Sequence, residues 1–226
     1  GHPLKQVPFT ALQAGLRWVY GEKFLASTHA KLALATDYPV VQFKFTQGIK
    51  AIDGAFDYTR YDVSASKSFY LKYIGKTTLK LDAGLVQGKV PACNLFNAKA
   101  SYGPLTLYSP GSFSTMRLNE FYSDKYIAGF LSHDFGKLLG RGKHLQPEFE
   151  LTTNAIIGSL TDGLNHQGIV MQAPSLGYFE SGINVHKLLN MGFYTLGIGS
   201  AYRYGAYSLP KTLNNFTFMF TMKFKI

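Results

Sequence analysis

The sequence predicts an all-β protein, an antiparallel meander of about nine strands that forms part of a transmembrane β-barrel. Apolar and polar residues alternate with a period of two in successive segments of the length that crosses a bilayer as a strand. Aromatic residues make up 15% of the chain, which suits the interfacial girdles of such barrels. No apolar run is long enough for a transmembrane helix.

The clearest strand is residues 216–226. A period of two places six large apolar side chains on one face, while lysines and threonines occupy the other. The apolar row is predicted to face lipid, and it consists of Phe216, Phe218, Phe220, Met222, Phe224 and Ile226. We expect Phe218→Arg to block insertion more than Thr217→Arg, because a lipid-facing Arg costs ~2–4 kcal/mol near the midplane.

Eight earlier segments alternate in the same way and are each expected to form a strand. They are residues 12–20, 41–46, 60–71, 78–85, 126–135, 145–157, 178–185 and 193–204. In the last of these, Tyr194, Tyr202 and Tyr204 are predicted to join the lipid-facing row. The polar rows carry charges of both signs, namely Lys44, Arg60, Asp62, Lys80, Asp82, Glu148, Glu150, Glu180 and Arg203. Such rows suit either a wet lumen or a solvated surface, so alternation alone does not say which face is inside.

Loop lengths favour the membrane interpretation, because outer-membrane barrels have short periplasmic turns and longer extracellular loops. Short connections are expected at residues 73–76, 136–144 and 186–190, and long ones at residues 88–123, 161–177 and 205–215. The connection at residues 21–37 departs from this rule, since it should be periplasmic yet is long and contains an apolar stretch at 32–35. An odd strand count and the lack of an export signal at the start predict that residues 1–226 are one domain, a C-terminal segment of a longer chain.

The net charge of the chain limits which classes of partner are expected. The net charge of +10 favours contact with anionic membrane lipid or lipopolysaccharide phosphate. Nucleic acid is not expected as a partner, because the basic residues are scattered and no recognition helix or zinc spacing accompanies them. The single cysteine, Cys93, excludes an internal disulfide.

The residues do not predict an enzyme. Ser132, His133 and Asp134 are consecutive on a strand, so they point to alternate faces and form no triad. Glu148 and Glu150 would lie about 7 Å apart on one face, a spacing that two catalytic carboxylates could use, but charged lining of a polar row is the more common role. The six histidines show no metal-ligand spacing, and neither a metal nor a cofactor is expected.

Four segments carry a resemblance to a known family: LRWVYGEKF (16–24), YPVVQFKFTQGIK (38–50), LKLDAGLVQGKVP (79–91) and RLNEFYSDKY (117–126). Along nearly its whole length the chain resembles the C-terminal part of Bacteroidetes outer-membrane proteins that carry a carboxypeptidase-regulatory-like domain before a barrel of unassigned function. At greater distance it is similar to the BamA-like surface-antigen superfamily, whose barrels insert or secrete other proteins. The resemblance implies that the loop at residues 88–123 folds into the lumen.

The superfamily's lumen loop carries an Arg-Gly-aromatic tip that locks against an acidic residue of the barrel wall. This sequence departs from it, because Leu118 follows Arg117. A local pin is still expected from Arg117, Glu120 and Asp124. Arg117 is predicted to pair with Glu148, Glu150 or Asp82, and Arg203 is predicted to line the lumen with these carboxylates.

The sequence therefore predicts a non-enzymatic, integral barrel of the outer membrane of a Gram-negative bacterium, with a structural, transport or protein-assembly role. Client outer-membrane or exported proteins would be its partners, besides lipid and lipopolysaccharide. Two alternatives stay open. One is a passive outer-membrane pore, and the other is a soluble β-barrel or sandwich that binds an apolar ligand.

Overall fold

The computed structural model describes residues 10–22, 24–26, 31–33, 36, 38–50, 56–88, 90, 92–100, 105–137, 147–161 and 171–224. Within these residues the chain is all-β, as predicted, and the helical content is two short 3-10 helices, Ala92–Asn94 and Thr212–Asn215. No helix in this part of the chain has the length and apolarity needed to cross a membrane.

The described residues form fourteen strands. In chain order they are β1 Ala11–Val19, β2 Phe24–Ala26, β3 Lys31–Ala33, β4 Val40–Gly48, β5 Tyr58–Leu71, β6 Gly75–Gly88, β7 Phe96–Asn97, β8 Leu105–Leu107, β9 Tyr122–Ser123, β10 Lys125–Lys137, β11 Glu148–Ser159, β12 Tyr178–Asn190, β13 Tyr194–Tyr204 and β14 Phe216–Phe224. The nine long strands correspond to the nine alternating segments of the sequence, which confirms those predictions.

One large sheet contains ten of these strands in the order β1-β4-β5-β6-β10-β11-β12-β13-β14-β8. Every pair from β1 to β14 is antiparallel, so the long strands form the predicted meander. Short β8 is the exception, because it pairs in parallel with the outer edge of β14. The sheet is not closed into a barrel, since β1 and β14 are not neighbours in it.

The sheet is nevertheless strongly curled. Lys223 of β14 places its Nζ 3.1 Å from Asp134 Oδ2 of β10, although three strands lie between them. Neighbouring strands are about 4.8 Å apart, so these positions would be about 19 Å apart in a flat sheet. The contact therefore requires β10 to β14 to wrap around a common interior, which we call the concave face.

Two connections hold structure of their own. The anomalous connection at residues 21–37 contains a separate hairpin of β2 and β3. The long loop at residues 88–123 contains the helix Ala92–Asn94 and strands β7, β8 and β9. Most of the predicted turn at 136–144 and of the loop at 161–177 lies outside the described residues.

Candidate functional site

The two faces of the sheet differ in which side chains are exposed. On β14, Phe218 is 61% exposed, whereas its neighbour Thr217 is 5% exposed and Thr221 is 1% exposed. On β11, the concave row of Glu148, Glu150, Thr152 and Asn154 is buried while the alternate residues are exposed or half-buried. Polar side chains therefore line the interior, and apolar side chains cover the outside.

Residues 108–121 of the long loop fill part of this interior, and we call them the interior segment. Its Phe113, Met116 and Phe121 are each at most 2% exposed. They pack against Phe130 of β10 and Tyr178 of β12, with ring centroids 5.0 Å apart for Phe113 and Phe130 and 5.6 Å for Phe121 and Tyr178. A small apolar core thus lies between the interior segment and the concave face.

Glu180 of β12 fixes the backbone of the interior segment. Its carboxylate accepts hydrogen bonds from the backbone N–H groups of Ser114 and Thr115, both at 2.8 Å. The hydroxyl of Thr115 donates at 2.6 Å, and Nδ2 of Asn154 on β11 donates at 2.8 Å. Because Glu180 is 1% exposed, these four donors replace the water that its charge would otherwise need.

Arg203 of β13 forms a second attachment. It lies directly opposite Glu180 in the register of the two strands, and it is 2% exposed. Its Nη1 is 2.8 Å from Glu120 Oε1 of the interior segment, and its Nε donates to Asn215 Oδ1 at 3.4 Å. The other oxygen of Glu120 accepts the backbone N–H of Arg117 at 2.8 Å. A wall carboxylate and a wall guanidinium, side by side, therefore hold the interior segment.

A third polar group lies beneath the interior segment. Oε2 of Glu150 accepts from Asn184 Nδ2 at 3.2 Å and lies 2.7 Å from His186 Nε2. Tyr108 places its ring 6.2 Å from that of His186. Within the described residues, Asn184 Oδ1 and His186 Nδ1 are buried without a hydrogen-bond partner, which makes this the least satisfied part of the interior.

An irregularity in β12 brings a further side chain, that of Lys187, to the inner carboxylates. Its register with β13 shifts between Val185 and Leu189, and Lys187 has a φ of +57°, so the strand bulges there. In a regular strand, His186 and Lys187 would point to opposite faces. Here His186 reaches Glu150, and Lys187 Nζ also reaches an inner carboxylate, Glu148 Oε1 at 2.6 Å.

The predicted pin forms with other partners than expected. Arg117 has an exposed side chain and contributes its backbone N–H, while Glu120 makes the ion pair to the wall. Asp124 instead accepts the N–H of Thr161 at 2.7 Å, outside the interior. Asp82 pairs with Lys80 at 2.7 Å, and Glu148 and Glu150 pair with Lys187 and His186 as described above.

The predicted lipid-facing rows lie on the convex face. Phe216, Phe218, Phe220, Met222, Phe224 and Tyr204 are exposed, while Tyr194 and Tyr202 are half-buried. Tyr202 packs on Phe216, with ring centroids 4.6 Å apart. Ile226 lies outside the described residues.

The sequence pattern places Glu180 and Asn154 in polar rows but gives them no role at the site, and it does not identify Thr115 or Tyr178. The signal available was a carboxylate on the predicted concave row of β12, opposite Arg203. That signal does not separate Glu180 from Glu148 or Glu150, which lie on the same kind of row. The backbone N–H groups that Glu180 binds carry no sequence signal at all.

Comparison with known proteins identifies a family whose function is unknown. Residues 3–151 match the C-terminal domain of a family of unknown function, DUF5686. Since the match covers more than half of the chain, the protein belongs to this family. No curated protein matches the sequence.

Proposed function

We propose that this chain is a membrane-embedded part of an outer-membrane β-barrel, with a structural, transport or protein-assembly role and no catalysis. Lipid would contact the convex apolar face, and the interior segment would fill the lumen between β10 and β14. The observation that carries the proposal is the reversed burial of the sheet, with Phe218 exposed and Thr217, Glu180 and Arg203 buried. In water, such a surface would be an aggregation site, but in lipid it is the expected outer face.

The contents of the interior support a filled barrel over a wide passive pore. The hydrogen bonds from backbone N–H groups to Glu180, the Glu120–Arg203 ion pair and an apolar core hold the interior segment against the wall. A passive pore needs a continuous polar channel, whereas here Phe113 and Met116 are buried in the middle of the concave face. The pore alternative predicts steady conductance of the reconstituted protein, and our proposal predicts none while the segment is docked.

The edges of the sheet fit the same proposal. Unpaired strand edges do not occur in the hydrocarbon region, so β1 and β14 would each require a neighbour there. Short β8 already covers three residues of β14. We propose that further strands complete the wall, as in the Bacteroidetes and BamA-like barrels that the sequence resembles. The net charge of +10 would place the protein beside lipopolysaccharide phosphate, and client proteins remain proposed partners.

The test compares the effect of an Arg substitution at two exposed apolar residues, one in strand β14 and one in the loop that precedes it. Phe218 is 61% exposed as the third of the nine residues of β14, and Leu213 is 82% exposed in the 3-10 helix before it. We expect Phe218→Arg to remove the full-length protein from the outer-membrane fraction, because a lipid-facing Arg costs ~2–4 kcal/mol near the midplane. Leu213→Arg should leave localisation unchanged, because that residue would lie beyond the apolar band.

Membrane fractionation and heat-dependent migration in SDS are the readouts. A closed barrel resists SDS until it is boiled, so the wild type and Leu213→Arg should shift on boiling. If Phe218→Arg fractionates and shifts like the wild type, the convex face does not contact lipid. A detergent-free soluble wild type would instead favour the soluble, ligand-binding alternative.

A further inference from the structure

A cavity of about 390 Å³ lies on the concave face of the other half of the sheet. Its wall comes from β4, β5, β6 and β10, and residues 96–99, Gly111 and Phe113 of the long loop cover it. This volume is within the range of small-molecule sites, which is about 300–1,000 Å³. Neither the interior attachments nor the convex face uses this space.

The cavity holds four basic and two acidic side chains. Both oxygens of Asp62 are taken by Arg60, whose Nε and Nη2 donate at 3.0 and 2.9 Å. Asp82 accepts from Ser64 Oγ at 2.6 Å and pairs with Lys80 Nζ at 2.7 Å. The two acidic groups are therefore neutralised by Arg60 and Lys80.

Lys44 and Lys99 are left over. Lys44 lies opposite Asp62 in the register of β4 with β5, but Arg60 already occupies that carboxylate. Neither lysine side chain has an ion-pair or hydrogen-bond partner within the described residues, and both are exposed and line the cavity. One ammonium comes from the wall and the other from the loop that covers it, so both add positive charge to the same cavity.

The remaining lining indicates more than a bare anion. Gln42 and Ser66 provide an amide and a hydroxyl that both donate and accept, and Ser64 Oγ, which donates to Asp82, can still accept. The rings of Phe96 and Phe130 also line the cavity, but they are buried beneath Arg60 and Lys80, which lie 4.1 and 5.3 Å from the ring centroids, so they offer no open face. Side chains that both donate and accept hydrogen bonds suit a polyhydroxylated ring, because each hydroxyl of such a ring can do the same.

We infer that this cavity binds an anionic sugar, a monosaccharide-sized ring bearing a phosphate or carboxylate that Lys44 and Lys99 contact. Arg60 and Lys80 shape the site and are already neutralised. The inference does not depend on membrane insertion, since it concerns a site inside the curled sheet. Its failure and the failure of the proposed function are therefore separable.

The experiment is calorimetric titration of the full-length protein in detergent at low ionic strength. The probes are glucose 6-phosphate, glucuronate, glucose and inorganic phosphate. We expect at least one anionic sugar to bind and both glucose and inorganic phosphate to bind more weakly. Lys44→Gln and Lys99→Gln should each weaken binding about five- to tenfold, the loss expected for one charge-assisted contact at a partly open site.

The matched control is Lys211→Gln, an exposed lysine beside the 3-10 helix Thr212–Asn215, which should bind like the wild type. The inference is overturned if neither anionic sugar binds, or if glucose binds as tightly as glucose 6-phosphate. It is also overturned if inorganic phosphate binds as tightly as the sugar phosphate, or if the Lys44→Gln, Lys99→Gln double variant binds normally. The far-UV circular dichroism spectrum and its thermal transition confirm that each variant retains its fold.

Discussion

The polar rows on the concave face differ in solvent exposure between the two halves of the sheet. In β10 to β14 the concave face is buried, and Glu180, Arg203, Asn184 and His186 are each at most 2% exposed. In β1 and β4 to β6 the charged rows stay accessible, with the side chains of Arg60 and Asp62 both 25% exposed. On β1, eight of nine residues are exposed.

The alternation of apolar and polar residues is the same in both halves. The difference lies in how closely the long loop covers the concave face. The interior segment packs on β10 and β12 and excludes water from the charges there. Over β4 to β6 the loop leaves a cavity instead. Removing one partner of a charged contact in the first half should therefore be costly, because it leaves a buried group unpaired, whereas the same change in the second half should cost little. The following variants test that difference.

The largest effect is expected for Glu180→Ala. The substitution removes the carboxylate that accepts two backbone N–H groups, while the Thr115 hydroxyl and the Asn154 amide keep their other contacts, to Tyr178 Oη at 2.7 Å and Ser112 O at 3.3 Å. We expect a loss of about 3–5 kcal/mol in the free energy of unfolding, since each stranded buried donor costs about 1–3 kcal/mol and the costs overlap. Urea unfolding in detergent micelles measures it. Glu22→Gln breaks the exposed pair with Arg17 and should cause no measurable change; equal losses would refute the contrast.

The two halves of the sheet should also differ in how well they tolerate an added methyl group. A Cβ added at Gly199 would collide with the side chain of Asn184, whereas one at Gly15 on β1 would meet its nearest atom at 3.9 Å. Overpacking a filled interior costs about 1–3 kcal/mol, so Gly199→Ala should lower the stability by that amount. Gly15→Ala should be close to neutral in the same unfolding experiment. A neutral Gly199→Ala would mean that this part of the interior is not tightly packed.

The Arg203 attachment should show measurable coupling. A double-mutant cycle with Glu120→Gln and Arg203→Gln isolates the pair, since each variant removes one end of the 2.8 Å contact. We expect a coupling energy of about 1–2 kcal/mol, because the guanidinium is buried. Limited proteolysis at the exposed Arg117 gives a second readout, since releasing Glu120 should speed cleavage. Additive single effects would contradict a direct attachment.

The smallest effect is expected in the open half. Asp62→Asn weakens a bidentate pair with Arg60 in which both side chains are 25% exposed. Surface pairs contribute about 0–1 kcal/mol, so the stability should change by no more than that. A loss as large as that of Glu180→Ala would show that the two halves are equally desolvated.

The sequence predicted the long strands well for a physical reason. Which face of a strand a side chain occupies depends only on a local period of two, and all nine alternating segments form strands. The odd connection at 21–37 was recognised as irregular, but its hairpin of β2 and β3 was not predicted. Pairing of so short a hairpin depends on its surroundings more than on its own pattern.

The attachments of the interior segment could not be predicted in the same way. The sequence predicts a pin from Arg117, Glu120 and Asp124 and assigns the ion pair to Arg117, whereas in the structure Glu120 makes the contact to the wall. Which inner carboxylate lies opposite which loop backbone depends on the curl of the sheet and on its registers. The bulge at Lys187, which turns a second basic residue inward, has no local sequence signal either.

The attachments also impose an order on folding. Ser114 and Thr115 precede their acceptor Glu180 by 66 and 65 residues, and Glu120 precedes Arg203 by 83. During synthesis the interior segment therefore emerges well before the strands that bind it. Contacts of such long sequence separation form late because the loop they close must first lose its freedom. We expect the segment to dock last, so an arrested C-terminal hairpin would leave it exposed to proteases and chaperones.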